Sequence, residues 1–270
     1  MTKRTVAEWA RAAFAIASAL ALSGAGWAGG GTALAQSQVQ AQEQSKEPAK
    51  PPKLVQTESK AESKAESEAE TRTQTAVADY NAGDLGAALT GFRDAAQRGN
   101  RLAQFNYAMM LLNGEGTAAN VDEGRKWLRK AADANMSHAQ YVYGRMYDDG
   151  DFVSRDPTEA HRWFLKAAQQ GHVQAELALA NQFLDGRGTA RDNKQAFYWY
   201  KKAAEAGDMT AQYVTGSFYE LGGDGVTRNL NIARAYYAAA AAQGDPAAKV
   251  KFQQLSSQLK REAQGQSKSQ

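Results

Sequence analysis

Three histidines, His138, His161 and His172, are the residues of this 270-residue chain that could bind a metal or relay a proton. Their spacing fits no ligand motif, and neither a cysteine nor a Glu-x-x-His partner joins them. Asp148, Asp149 and Asp151 form part of a calcium loop, but the later ligands of such a loop are missing. Gly114-Glu115-Gly116 and Gly186-Arg187-Gly188 look like phosphate-cradling turns. They sit between two helical stretches and not after a strand, so they read as turns. No G-x-S-x-G element and no paired general acid and base emerges. The sequence thus predicts no catalytic residue, no metal, no cofactor and no enzymatic activity.

Composition narrows the remaining classes. The formal net charge is +3, and Lys3, Arg4, Glu8 and Arg11 supply two of those charges. The rest of the chain is near neutral, which excludes the concentrated basic face of a nucleic-acid binder. Lys3, Arg4 and Arg11 precede the apolar run 12–22, and Ala33-Leu34-Ala35 precedes Gln36. That arrangement predicts an export signal over residues 1–35 with cleavage after Ala35, and hence a periplasmic or secreted bacterial protein without stable membrane insertion. A retained anchor over Ala12 to Ala35 is the alternative, although residues 23–32 are only weakly hydrophobic. With no cysteine, an exported chain must be held by packing alone. Residues 36–72 are rich in Gln, Ser, Glu, Lys and Ala. Glu58, Glu62, Glu66 and Glu70 are four apart, a spacing at which like charges repel on a helix. The segment is therefore expected to be a disordered linker.

From residue 75 the sequence repeats with a period of 36. Ala103, Ala139, Ala175 and Ala211 mark one position, Gly114, Gly150 and Gly186 another, and Trp127, Trp163 and Trp199 a third. One extra residue in 220–226 shifts Ala240-Ala241 to 37. Each unit reads as two amphipathic helices. Asn120, Asp156, Asp192 and Asn229 are placed to cap the second helix, with Glu159 completing a capping box. Gly99, Asn135, Gly171, Gly207 and Gly244 are placed to end it in a left-handed conformation. The units are 75–100 (a shorter opening unit), 101–136, 137–172, 173–208 and 209–245. A closing helix over 246–262 carries Val250, Leu255 and Leu259, and the repeat domain runs from 73 to 262. Residues 263–270 are expected to be a disordered tail.

The stretches "AQYVYGRMYDDG" (140–150 with its leading Ala139) and "HRWFLKAAQQG" (161–171) resemble the Sel1-like repeat family, a relative of the tetratricopeptide repeats. "DNKQAFYWYKKAAEAG" (192–207) matches the family's second half almost letter for letter. Asn135 in place of glycine, Gly124 in place of alanine and the loop 148–153 depart from it. The resemblance covers residues 101–245. It implies an all-α fold, an α/α solenoid wound as a right-handed superhelix, that binds proteins. A signalling or envelope protein such as a sensor kinase is the kind of partner it suggests. Cysteine-rich secreted relatives are linked to β-lactam hydrolysis, but those carry paired cysteines in each repeat and this chain has none.

In such arrays the repeated residues hold units together and the varying ones face partners. Gln104, Gln140, Glu176 and Gln212 recur and are expected to satisfy loop backbone, and the tryptophans are expected to be core. Residues at i, i+3, i+4 and i+7 of each first helix vary. These are Asn106, Met109, Met110 and Asn113; Val142, Arg145, Met146 and Asp149; Ala178, Asn181, Gln182 and Asp185; and Val214, Ser217 and Phe218, of which Met110, Met146 and Phe218 have core packing as the alternative reading. This stripe, expected on the concave side, is the predicted partner-binding surface.

Overall fold

The computed structural model describes residues 53–268, which contain eleven α-helices. They are α1 (Lys53–Asn81), α2 (Leu85–Gln97), α3 (Arg101–Asn113), α4 (Val121–Asp133), α5 (Ser137–Asp149), α6 (Pro157–Ala168), α7 (Val173–Asp185), α8 (Asn193–Glu205), α9 (Met209–Leu221), α10 (Leu230–Ala242) and α11 (Pro246–Lys268). The expected export signal and residues 36–52 of the expected linker lie outside the described residues. Among those described, no helix is long and apolar enough to cross a membrane. The chain divides into two compact units, one ending at Trp127 and the other beginning at Leu128.

In the first unit, α1 corrects the linker expectation, because residues 53–72 are helical. Ala69, Thr73, Ala76 and Val77 fall at i, i+4, i+7 and i+8 and are all buried. Burying such a seam outweighs like-charge repulsion of a few tenths of a kcal/mol per pair, roughly 0.2–0.5 kcal/mol. The acidic residues also find partners: Glu68 pairs with Arg98 (3.6 Å), and Glu70 accepts from Asn100 Nδ2 (2.9 Å). Across the seam α2 buries Ala88, Phe92, Ala95 and Ala96. The opening unit is therefore a complete helix pair whose first helix is extended.

The second unit stacks helix pairs on small-to-large contacts. Tyr141, Phe164, Leu179, Trp199 and Tyr200 interleave with the buried alanines 160, 167, 168, 175, 180, 203, 204 and 211. Gly144 shows why the small positions recur: a Cβ there would come within 2.8 Å of the Phe164 ring. The three tryptophans are core, at 4–9% exposure. Asp156, Asp192 and Asn229 cap α6, α8 and α10 as expected, each accepting two backbone N–H bonds. Glu159 does not close a capping box; its carboxylate accepts from Trp163 Nε1 at 3.0 Å. Asn135 adopts φ +61°, the left-handed C-cap conformation that the lattice requires.

The extra residue of 220–226 is absorbed in a turn where Gly223 and Val226 exchange backbone hydrogen bonds of 3.0 and 2.8 Å. The closing helix α11 extends to Lys268, beyond the expected end at 262 and into the expected tail. It packs through Ala248 and Leu255 against Tyr237 and Ala240. Val250 lies on its outer side, 52% exposed.

Candidate protein-binding surface

The predicted stripe divides along its length. At 100° per residue, positions i+3 and i+4 form its opposite edges, and only one edge can turn away from the neighbouring helices. The structure buries the i+4 edge. Met110, Met146 and Gln182 are fully buried there, and Phe218 packs against the core. Met146 and Gln182 are thus corrected from partner contacts to core. Gln182 satisfies its buried amide on α6, accepting from His161 Nδ1 (3.0 Å) and reaching the Pro157 carbonyl (3.5 Å). Asn106 and Met109 of α3 are also buried, at 1% and 2% exposure, and present no surface. Asn113, half-buried at the end of α3, donates to Glu115 (3.3 Å).

Asp149 on α5 and Asn181 and Asp185 on α7 are exposed in the second unit, Arg145 on α5 and Ser217 on α9 are half-buried, and Val142 is half-buried with one side against the core. Arg145 Nε donates to Asp149 at 2.9 Å, and its Nη1 reaches the Tyr141 hydroxyl at 3.4 Å. The next two helices are braced from behind. Tyr200 of α8 donates to Asn181 Oδ1 at 2.6 Å. Burial, with the negative charge of Asp185 adding to it, raises the Tyr200 pKa and keeps the phenol a donor.

Tyr237 of α10 is the equivalent of Tyr200, and its hydroxyl donates to Glu220 (2.6 Å). Its single proton is then committed, so Ser217 donates to the phenolic oxygen at 3.1 Å. Lys251 from α11 bonds the same carboxylate at 3.0 Å. Burial would raise the Glu220 pKa, but the hydrogen bonds from Tyr237 and Lys251, with the charges of Lys251 and Arg228, hold it below the ordinary value. These backing groups were missed from sequence. The signal was a position where Phe164 becomes Tyr200 and then Tyr237, adding a hydroxyl in the last two repeats only.

Asp148 is also explained. It is buried, 3.0 Å from Arg187 in the Gly186–Gly188 turn, so it ties one repeat to the next. That turn must contain Gly188, since a Cβ would collide with the Pro157 carbonyl. Among the described residues no cluster of three or more His, Cys, Asp or Glu side chains could hold a metal ion. The lattice glutamines behave as expected: Gln104, Gln140 and Gln212 donate to the Ala96, Ala132 and Ala204 carbonyls at 3.3, 3.1 and 3.4 Å.

Comparison with known proteins places these features. The Sel1 repeat model matches residues 101–136, 137–172, 173–208 and 210–245. A protective antigen of uropathogenic Escherichia coli strains, displaying an SLR fold, is 32% identical with a TM-score of 0.63. The match covers 74% of this chain and 43% of the antigen, so the chain spans less than half of that protein's length. A Sel1 repeat protein from Oxalobacter formigenes is 37% identical with a TM-score of 0.58, over 67% of this chain and 73% of that one. No curated protein matches the sequence.

Proposed function

The chain belongs to the Sel1 repeat family, and on that premise we propose that it is a protein-binding scaffold of the bacterial cell envelope. Sel1 repeat proteins generally mediate protein–protein interaction. The surface assigned to the partner is the open edge of α5, α7 and α9: Val142, Arg145, Asp149, Asn181, Asp185 and Ser217. One observation carries this choice. The polar groups of that edge are already oriented, Arg145 by Asp149, Asn181 by Tyr200 and Ser217 by Tyr237. Side chains fixed before binding lose less entropy when a partner docks, at about 0.5–1.5 kcal/mol for each one immobilised. The envelope location rests on the basic start, the apolar run and Ala33-Leu34-Ala35. A signalling protein with an exported domain, such as a sensor kinase, is the proposed class of partner.

A photoreactive residue placed at Val142, Arg145 or Ser217 of the exported protein tests this reading. It should yield one discrete crosslinked protein, while the same residue at Arg162 or Lys202 on the second helices should not. Crosslinks only from the second helices would overturn the assignment. Recovery of the protein with residues 1–35 intact and in the cytoplasm would overturn the location.

A further inference from the structure

Asn181 of α7 and Ser217 of α9 occupy one lattice position in successive repeats, and the ring behind each fixes the direction of its hydrogen bonds. Tyr200 is buried, so its hydroxyl needs an acceptor, and among the described residues Asn181 Oδ1 supplies it at 2.6 Å. The oxygen and nitrogen of an amide lie on opposite sides of Cγ. The Nδ2 hydrogens of the exposed Asn181 therefore face outward as donors. Ser217 is the reverse case. Burial, followed by the bond to Glu220, raises the Tyr237 pKa and keeps the phenol protonated. That proton is directed at Glu220 at 2.6 Å, so the Ser217 hydrogen is committed to the Tyr237 oxygen at 3.1 Å. Ser217 keeps lone pairs and has no hydrogen left to give. α7 offers a donor and α9 an acceptor.

One turn further along each helix the chemistry differs again. Asp185 and Leu221 share a lattice position, four residues after Asn181 and Ser217 and hence on the same helix face. Asp185 is exposed, and Leu221 is 78% exposed where the preceding repeats carry Asp149 and Asp185. The two helices share one core, through Leu179 and Ala180 of α7 and Ala211 and Val214 of α9. Packed helices lie about 8–10 Å apart. An extended chain covers that span in about three residues at ~3.3 Å each, with both carbonyl and N–H groups unpaired along its edge. A helical segment keeps those groups in its own hydrogen bonds and cannot use such a pair.

We propose that α7 and α9 bind an extended peptide segment of the partner. A backbone carbonyl of that segment accepts from Asn181, and a backbone N–H donates to Ser217. A basic side chain lies over Asp185 and an apolar one over Leu221. This occupant presupposes that the edge of α5, α7 and α9 is the partner surface, and specifies the conformation of what docks there.

The probe is a library of acetylated, amidated heptapeptides of randomised sequence, applied to the full-length protein, with affinities of retained peptides read by fluorescence anisotropy. Retained peptides should combine a basic with an apolar side chain. Asn181→Asp keeps an acceptor for Tyr200 but turns an oxygen outward in place of the donor. It also adds a negative charge, so attraction of basic peptides by charge alone would tighten binding. The fixed polarity predicts the opposite, a loss of about tenfold or more. Ser217→Ala should lose about fivefold. Methylating the backbone nitrogen that faces Ser217 should weaken binding to the parent protein by a similar factor and leave binding to S217A unchanged, because one hydrogen bond cannot be lost twice. Circular dichroism melts of both variants serve as the fold control. Retention of no peptide, unchanged or tighter binding by N181D, or a methylation cost equal in the parent protein and S217A at every position would overturn the extended segment. Crosslinks from Val142, Arg145 and Ser217 would stand through any of these outcomes, whereas their absence would overturn the surface itself.

Discussion

Tyr200 on α8 donates its phenolic hydrogen to Asn181 on α7 across 2.6 Å, so a core ring orients a surface amide. The ring itself sits where Phe164 sits one repeat earlier. Tyr200→Phe should therefore keep the packing and lose only the hydrogen bond, about 0.5–1.5 kcal/mol by urea unfolding. Tyr200→Ala should cost about 3–5 kcal/mol, as emptying an aromatic core site does. Equal losses for the two variants would show that the hydroxyl, and not the ring, holds this layer.

Glu176 occupies the lattice position of Gln140 and Gln212 but, ionised, has no hydrogen to give the backbone. It is 4% exposed, and its Oε2 has no hydrogen-bond partner. Burial raises its pKa, with Lys202 lowering it and Glu205 raising it by smaller amounts. The folded value exceeds the unfolded one, so this group's stability is present at acid pH and is lost as pH rises through the folded pKa. Glu176→Gln should consequently stabilise the protein at pH 7 by about 1–2 kcal/mol, with the gain shrinking toward pH 4. Thermal melts of both proteins at the two pH values read this directly. A destabilised variant at pH 7 would contradict it.

Much of this arrangement was legible in the sequence because it is local. Asn120, Asp156, Asp192 and Asn229 cap from their own backbone neighbourhood, and Asn135 takes a left-handed turn for the same reason glycine does. The 36-residue lattice likewise located the tryptophans and the glutamines. The open edge of the stripe was not legible, because Arg145 and Met146 differ by one residue and only the neighbouring helix decides which of them is covered. Nor was the His138–His172 contact, which joins residues 34 apart. α1 was missed because its seam is built largely from small residues, Ala69, Thr73 and Ala76, whose hydrophobic signal is weaker than that of the charges around them.

That seam makes a graded truncation informative. Removing residues 1–63 should leave the unfolding midpoint unchanged within error, because among the side chains described in α1, from Lys64 on, burial begins at Ala69. Removing residues 1–77 strips the seam and uncovers Phe92, and should cost about 3 kcal/mol or more at ~25 cal/mol per Å² of re-exposed apolar surface. Equal midpoints for the two truncations would mean that α1 does not stabilise the first unit.

The central claim is that α5, α7 and α9 present a preformed binding edge, and charge reversal on that edge tests it most directly. Arg145→Glu combined with Asp185→Lys changes two open positions without touching the buried Met146 or Gln182. Affinity for the crosslinked partner should be measured by titration calorimetry, with circular dichroism melts as the fold control. The account predicts at least about a tenfold loss of affinity, some 1.4 kcal/mol, at an unchanged melting temperature. A well-folded double variant that binds its partner as tightly as the parent protein would contradict it.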